Sequence, residues 1–141
     1  MWANYDYKNF PIVLVNFTNK IETKEEFNIF LKKWILLYKD KKDFTFIFDT
    51  LDVGIPKISY CYKMTKFIHT LKQFKHQYLQ KSLIIVSNTY IKYLLNLIFR
   101  IQKPVAPVYI YNINKDISFD YYELINKINN NELNDFSIVY P

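Results

Sequence analysis

The stretch that decides the fold is FTFIFDTLDVGIPKISY, which covers Phe44–Tyr60. Its first half alternates phenylalanine with β-branched residues, a pattern typical of a buried strand, and its second half contains the turn formers Asp49, Asp52, Gly54 and Pro56. This pattern predicts a strand that ends here and leads through a loop into a helix. Gly54 is the only glycine of the chain, so this loop is where a positive φ or a very close backbone approach is freely available. Because ligands often bind at the carboxyl ends of central strands in α/β sheets, we expect any functional site to lie here.

The residues before this stretch predict a hairpin and an amphipathic helix. Strand-like runs at 2–7 and 10–17 are separated by Lys8 and Asn9, which predicts a two-residue hairpin. Thr23 and Glu26 have the spacing of a capping box, in which each side chain binds the backbone of the other. The apolar residues that follow recur at helical spacing and predict one buried face: Phe27, Phe30, Leu31, Trp34, Ile35 and Tyr38.

The residues after Gly54 predict three more helices alternating with two strands. A helix is predicted from Ile58 to Tyr78, a strand at 82–87, a helix capped by Asn88 or Thr89, a strand at 105–111 and a helix that opens at Ser118. Pro107 lacks a backbone donor, which indicates an edge strand or a strand start. The second helix should bury Cys61, Met64, Phe67, Ile68, Leu71, Phe74 and Tyr78 and turn Lys63, Lys66, Thr70, Gln73 and Gln77 outward. The third helix should bury Ile91, Leu94, Leu95, Ile98 and Ile101. The tail at 135–140 adds an extended segment.

The predicted order is β-β-α-β-α-β-α-β-α in a single domain over residues 1–141. Helices that alternate with short apolar strands indicate an α/β fold with a mostly parallel sheet, here of four or five strands, and the opening hairpin makes one edge antiparallel. No apolar run approaches the roughly 20 residues of a membrane-spanning helix. We therefore expect a soluble, cytoplasmic protein.

The order of elements resembles two related families, the STAS domain of anti-anti-sigma factors and the core of CRAL-TRIO lipid-binding proteins. The likeness rests on FTFIFDTLDVGIPKIS, the long helix after it, and SLIIVSNTYIKYLLNLIFRIQKPVAPVYIY, and it covers about residues 2–128. In STAS switch proteins a serine before the second helix is phosphorylated, and Ser59 stands at about that place, between Ile58 and Tyr60. The resemblance implies a binding or regulatory module, and on the CRAL-TRIO side it implies recognition of a lipid.

Few residues offer chemistry for catalysis or for a cofactor. A single glycine excludes the glycine-rich loops that bind phosphates or dinucleotides. Cys61 falls on an apolar helical stripe and is interpreted as a small core residue. His69 and His76 lie on one basic helix without a carboxylate partner, and Asp49 and Asp52 follow a strand, where aspartate usually forms turns. We therefore predict a protein that is not an enzyme and has neither a cofactor nor a metal site.

Charge is strongly segregated along the chain. Between Val53 and Lys115 there is no acidic residue, and ten basic residues give this segment a charge of +10, whereas the rest of the chain carries −4. Such a segment favours an anionic partner, which could be an acidic protein face, a phospholipid surface or nucleic acid. Sequence-specific nucleic acid binding is not expected, because Arg100 is the only arginine and arginine dominates base readout. A high lysine count is also typical of solvated surfaces that bind nothing.

Two binding functions follow from these features. In the first, the loop and the basic second helix contact an acidic protein partner, such as another subunit of a complex, through Gly54, Lys57, Ser59, Lys63 and Lys66. In the second, the protein recognises a phospholipid or membrane surface: a shallow apolar pocket near the third helix takes the lipid, and the lysines bind its phosphorylated head group.

Overall fold

The computed structural model of the protein describes residues 1–113 and 118–141. The elements run in chain order as β1 (Ala3–Asp6), β2 (Ile12–Asn19), α1 (Lys24–Lys39), β3 (Phe44–Val53), α2 (Ile58–Lys72), β4 (Leu79–Val86), α3 (Thr89–Ile101), β5 (Val108–Asn112), α4 (Tyr121–Asn129) and β6 (Phe136–Val139). Lys115, which the charge analysis included, lies outside the described residues. The predicted α/β class and order of elements are confirmed.

The described strands form one mixed sheet in the order β1-β2-β3-β4-β5-β6. Strands β2 to β5 are parallel to one another, whereas β1 and β6 are antiparallel to their neighbours. The sheet thus has six strands rather than the predicted four or five, because the tail supplies β6 as a second antiparallel edge. Pro107 directly precedes β5, which lies between β4 and β6, so the proline marks a strand start and not an edge strand.

The opening hairpin has a longer connection than predicted. Residues 7–11 join β1 to β2, so the prediction of a two-residue turn at Lys8 and Asn9 is wrong. The amide of Lys8 donates to the Asp6 carboxylate at 2.9 Å, and the amide of Phe10 donates to the Tyr7 carbonyl at 3.1 Å. Pro11, which has no amide proton for a strand ladder, holds the second strand back until Ile12.

Strand β3 continues beyond the aspartates that were expected to end it. After a shift in register, Asp52 and Val53 still pair with the end of β2. The sequence left two reasons for a glycine at position 54, a positive φ or a close backbone approach. Gly54 does not have a positive φ, so the close backbone approach is the reason. Its amide donates to the Asn19 carbonyl at 2.8 Å, and a Cβ added at this position would lie 3.1 Å from the backbone nitrogen of Lys20.

Helix α1 begins with the predicted capping box and packs an aromatic face on the sheet. Thr23 accepts from the amide of Glu26, while the Glu26 carboxylate accepts from the amides of Glu22 and Thr23 and thereby has a lowered pKa. The buried residues of the helix are Phe27, Phe30, Trp34, Leu37 and Tyr38. Leu31 and Ile35 are only half-buried, and Leu37 takes a core position that the predicted stripe omitted.

Helix α2 ends six residues earlier than predicted, at Lys72. The side chain of Gln77 donates to the carbonyls of Leu71, at 2.7 Å, and Phe74, and so folds back over the end of the helix. Gln77 consequently turns inward, contrary to the prediction that it faces solvent. Tyr78 lies outside the helix, and β4 begins at Leu79 instead of 82.

Helix α3 differs from the prediction in the residues it buries, and helix α4 differs in where it begins. Ile101, predicted to be buried at the end of α3, is 50% exposed, and Phe99 is buried instead. Asn88 is the residue that caps α3, through a bond from the amide of Tyr90. Helix α4 begins after Asp120, whose carboxylate caps it, and not at Ser118.

The two faces of the sheet are covered unequally. Helices α1, α2 and α3 pack on one face, against Phe44, Phe46 and Phe48 of β3 and the inward residues of the neighbouring strands. The nine-residue helix α4 packs on the other face, against Ile47, Leu83 and Ile85. Among the described helices, none is long and apolar enough to cross a membrane.

Candidate functional site

The predicted site residues run from the loop after β3 along the first nine residues of α2. Gly54 is half-buried against the end of β2, whereas Lys57, Ser59, Lys63 and Lys66 are exposed. The last three are spaced four and three residues apart on α2, so they share one face of that helix. Gly54 contacts the end of β2, through residues 19 and 20.

The start of α2 is electrostatically positive. Lys57 occupies the N-cap position, and within the described part of the chain no side chain caps this helix and its first turn has no acidic residue. The partial positive charge of the helix N-terminus therefore adds to the lysine charges instead of being balanced by a carboxylate. An anionic group would be stabilised at this position.

An apolar cavity of about 180 Å³ lies between the sheet and the layer formed by α1, α2 and α3. Its wall runs from Val53 and Pro56, beside the carboxyl ends of the strands, to Leu79 and Ala106 at their amino ends. Helix α3 contributes Ile91, Leu94, Leu95, Ile98 and Phe99, and helix α2 contributes Tyr60, Cys61, Met64 and Ile68. The cavity is partly open, and its wall is almost wholly apolar.

A direct contact joins the cavity to the cationic surface. The Lys63 ammonium nitrogen lies 5.0 Å from the centre of the Tyr60 ring, within the range of a cation–π interaction. The Tyr60 ring also lies 5.0 Å from the ring of Phe27, centre to centre, and both rings line the cavity. One tyrosine therefore both lines the cavity and contacts a lysine of the predicted site.

The polar groups near the cavity are few and mostly occupied. The Thr50 hydroxyl donates to the Ile85 carbonyl at 2.7 Å. The Trp34 indole nitrogen is buried without a hydrogen-bond acceptor among the described residues, but it has no exposed surface, so a molecule in the cavity would not reach it. The Trp34 side chain lies near Tyr38, whose hydroxyl donates to Gln77 at 2.8 Å. Burial raises the pKa of Tyr38 to about 12, although the Leu79 backbone and the Trp34 side chain act to lower it.

Two of the side chains that could take part in chemistry, Cys61 and Asp49, are buried in the fold. Cys61 is buried, and burial raises the pKa of its thiol, which disfavours the reactive thiolate. On the opposite face of the sheet, the buried Asp49 carboxylate accepts from the Tyr121 hydroxyl and from the amide of Leu51. The pKa of Tyr121 is raised mainly by burial, and to a smaller extent by this hydrogen bond and by the charges of Asp49 and Asp52. Asp52 is exposed, and His69 and His76 are exposed as well.

Compared with known proteins, the chain matches no family model, no curated protein and no solved structure. The resemblance to STAS and CRAL-TRIO domains therefore stays a prediction.

Sequence reasoning missed part of the surface at this end of the molecule. Five apolar side chains of the Gly54 loop and of the first turns of α2 and α3 are 41–58% exposed: Ile55, Ile58, Tyr62, Tyr90 and Tyr93. The signal was present, because on α2 and α3 these residues fall outside the stripes assigned to the core.

Proposed function

We propose that this protein is a non-catalytic binding module that recognises a phospholipid, taking a short apolar segment into the cavity and the phosphorylated head group on the lysines of α2. The observation that carries this proposal is the apolar cavity itself, which shares the Tyr60 wall with Lys63. An apolar space beside a cationic surface fits a molecule that has an apolar part and an anionic part.

The volume of the cavity limits the apolar part. Apolar cavities of about 150 Å³ remain dry and bind molecules of the size of benzene. A space of about 180 Å³ therefore accommodates a short segment of one acyl chain, with the remainder of the lipid outside. This differs from a site that encloses a whole lipid, since ligand pockets for molecules of drug size measure about 300–1,000 Å³.

The head group is expected to bind at the start of α2. Lys57 is exposed at the N-cap, where the helix N-terminus adds partial positive charge, and Lys63 and Lys66 are exposed further along α2. A basic residue close to an anionic lipid surface contributes about 1 kcal/mol at physiological salt. Three such lysines would therefore strengthen binding by about two orders of magnitude over an uncharged surface.

The first experiment is mass spectrometry of lipid extracted from the purified protein, followed by titration of lipid-free protein with a short-chain phosphatidylserine. Trp2 and Trp34 both line the cavity, so their fluorescence reports occupancy directly. We expect a saturable fluorescence change that the triple variant Lys57→Glu, Lys63→Glu, Lys66→Glu weakens by about a hundredfold or more. The matched control is Lys8→Glu, Lys32→Glu, Lys42→Glu, three exposed lysines outside the basic segment, which should bind as the wild type does. Equal weakening in both triple variants, or no fluorescence response, would reject the proposal.

A second candidate is an acidic protein partner on the same surface. The observation that favours it is the exposed face of α2 formed by Ser59, Lys63 and Lys66, in a segment without acidic residues from Val53 to Ile113. A pull-down from native material at low and high salt separates the two functions. A salt-sensitive protein partner recovered with lipid-free protein would favour the protein, whereas bound phospholipid would favour the lipid.

A further inference from the structure

We infer that the five exposed apolar side chains around the starts of α2 and α3 form a surface that inserts into the interface of an anionic membrane. This inference rests on the proposed function, because it concerns how the cavity would reach lipid. We call the surface the apolar rim, and its members are Ile55, Ile58, Tyr62, Tyr90 and Tyr93.

The topology places these residues at one end of the molecule. Helices α2 and α3 start directly after β3 and β4, which are parallel neighbours in the sheet, and the two helices pack against each other. Both first turns therefore lie beside the carboxyl ends of the same two strands. Ile58 and Tyr62 are four residues apart and share a face of α2, and the rings of Tyr90 and Tyr93 lie 6.2 Å apart, centre to centre.

The composition of the rim favours a membrane over a protein. Tyrosines and aliphatic residues among lysines are typical of surfaces that lie in the membrane interface, where the rings occupy the head-group level and the cations attract anionic lipid. Lys57, Lys63, Lys66 and Lys92 lie on the same segments as the rim, and the sequence from Val53 to Ile113 has no carboxylate side chain, although exposed Asp52 directly precedes it. A soluble protein rarely exposes such a group of large apolar side chains without an interaction.

The rim also lies beside the cavity. Pro56 and Tyr60 belong to the same loop and helix turn as the first three rim residues, and Ile91 lies between the two rim tyrosines of α3; all three line the cavity. Contact of the rim with a bilayer would thus place this end of the cavity against lipid. Transfer of an acyl segment would then not require the lipid to cross water.

The test is flotation with vesicles of phosphatidylcholine alone and of phosphatidylcholine mixed with phosphatidylserine. Wild-type protein should float with the mixed vesicles and far less with pure phosphatidylcholine. The double variant Ile55→Ser, Tyr93→Ser should lose at least about tenfold in vesicle affinity, since each change removes a large apolar side chain from the interface. The control double variant Ile101→Ser, Tyr140→Ser removes side chains of similar exposure outside the rim and should float normally.

The same variants separate this inference from the proposed function. If the rim variant floats as well as the wild type, or if the control loses as much, the inference is wrong. If wild-type protein does not float but binds short-chain phosphatidylserine in solution, the rim is not a membrane surface although the lipid site exists. If neither vesicles nor short-chain lipid bind, both fail. Loss of flotation with retained short-chain binding in the rim variant supports both.

Discussion

A substitution at Ala106 tests directly whether the cavity is empty in the lipid-free protein. Its side chain is buried and lines the cavity. In Ala106→Val two carbon atoms enter that space without a change in the polarity of the wall. If the space is empty in the lipid-free protein, the substitution should stabilise the fold, whereas extra carbons in a fully packed core destabilise it. The sign of the change in the free energy of unfolding therefore answers the question.

The magnitude follows from the cavity volume. At about 24 cal/mol per Å³, a sealed empty space of about 180 Å³ would correspond to roughly 4 kcal/mol, which is the upper limit for this partly open cavity. Burial of two further carbons at about 0.8 kcal/mol each should recover about 1.6 kcal/mol, less any cost of fixing the side chain. Over-packing a filled core would instead cost about 1–3 kcal/mol.

The assay is urea unfolding of lipid-free protein followed by tryptophan fluorescence, with the slope of the free energy against urea compared between variants. Ala3→Val is the matched control, because Ala3 is the only other alanine of the chain and is buried in the core without lining the cavity. We expect Ala106→Val to stabilise and Ala3→Val to destabilise. Destabilisation of both by similar amounts would refute the existence of usable space.

Two further predictions concern the fold. Burial raises the pKa of Tyr38 to about 12, whereas in an unfolded chain the pKa of tyrosine is about 10, so the folded state holds the proton more tightly. The stability that this contributes is complete below about pH 10 and is lost as the pH rises toward 12. Tyr38→Phe should therefore show a smaller fall in urea midpoint between about pH 9 and pH 11 than the wild type, and an equal fall would contradict the assignment. Thr23→Ala should lower the free energy of unfolding by about 0.5–2 kcal/mol through loss of the capping box, whereas Thr23→Ser should retain most of it.

The parts of the fold that the sequence predicted correctly depend on local patterns. The Thr23 and Glu26 spacing predicts a helix start because both partners lie within one turn. The alternating phenylalanines from Phe44 predict a buried strand for the same local reason. An ordered succession of such elements suffices to predict an α/β class with a mostly parallel sheet.

The errors occur where distant residues decide the local structure. Helix α2 stops at Lys72, and Gln77 turns back onto the Leu71 carbonyl, although the apolar periodicity continues to Tyr78. Strand β3 runs past Asp49 because β2 still pairs with it and because Tyr121, more than seventy residues later, donates to the buried carboxylate. Neither contact leaves a signal in the spacing of nearby residues.

The cavity has a cause in residue size that periodicity does not express. On the face of the sheet that α1, α2 and α3 cover, β3 presents Phe44, Phe46 and Phe48, and the last two rings pack against Trp34 of α1. The inward positions that line the cavity from β4 and β5 include Ser82 and Val108, which are much smaller. A pattern of buried positions treats serine, valine and phenylalanine alike, although they differ greatly in volume. The smaller side chains of β4 and β5 therefore leave space under α2 and α3, in a cavity that residues of α1 also line, and the sheet order brings this part of the core next to the lysines of α2.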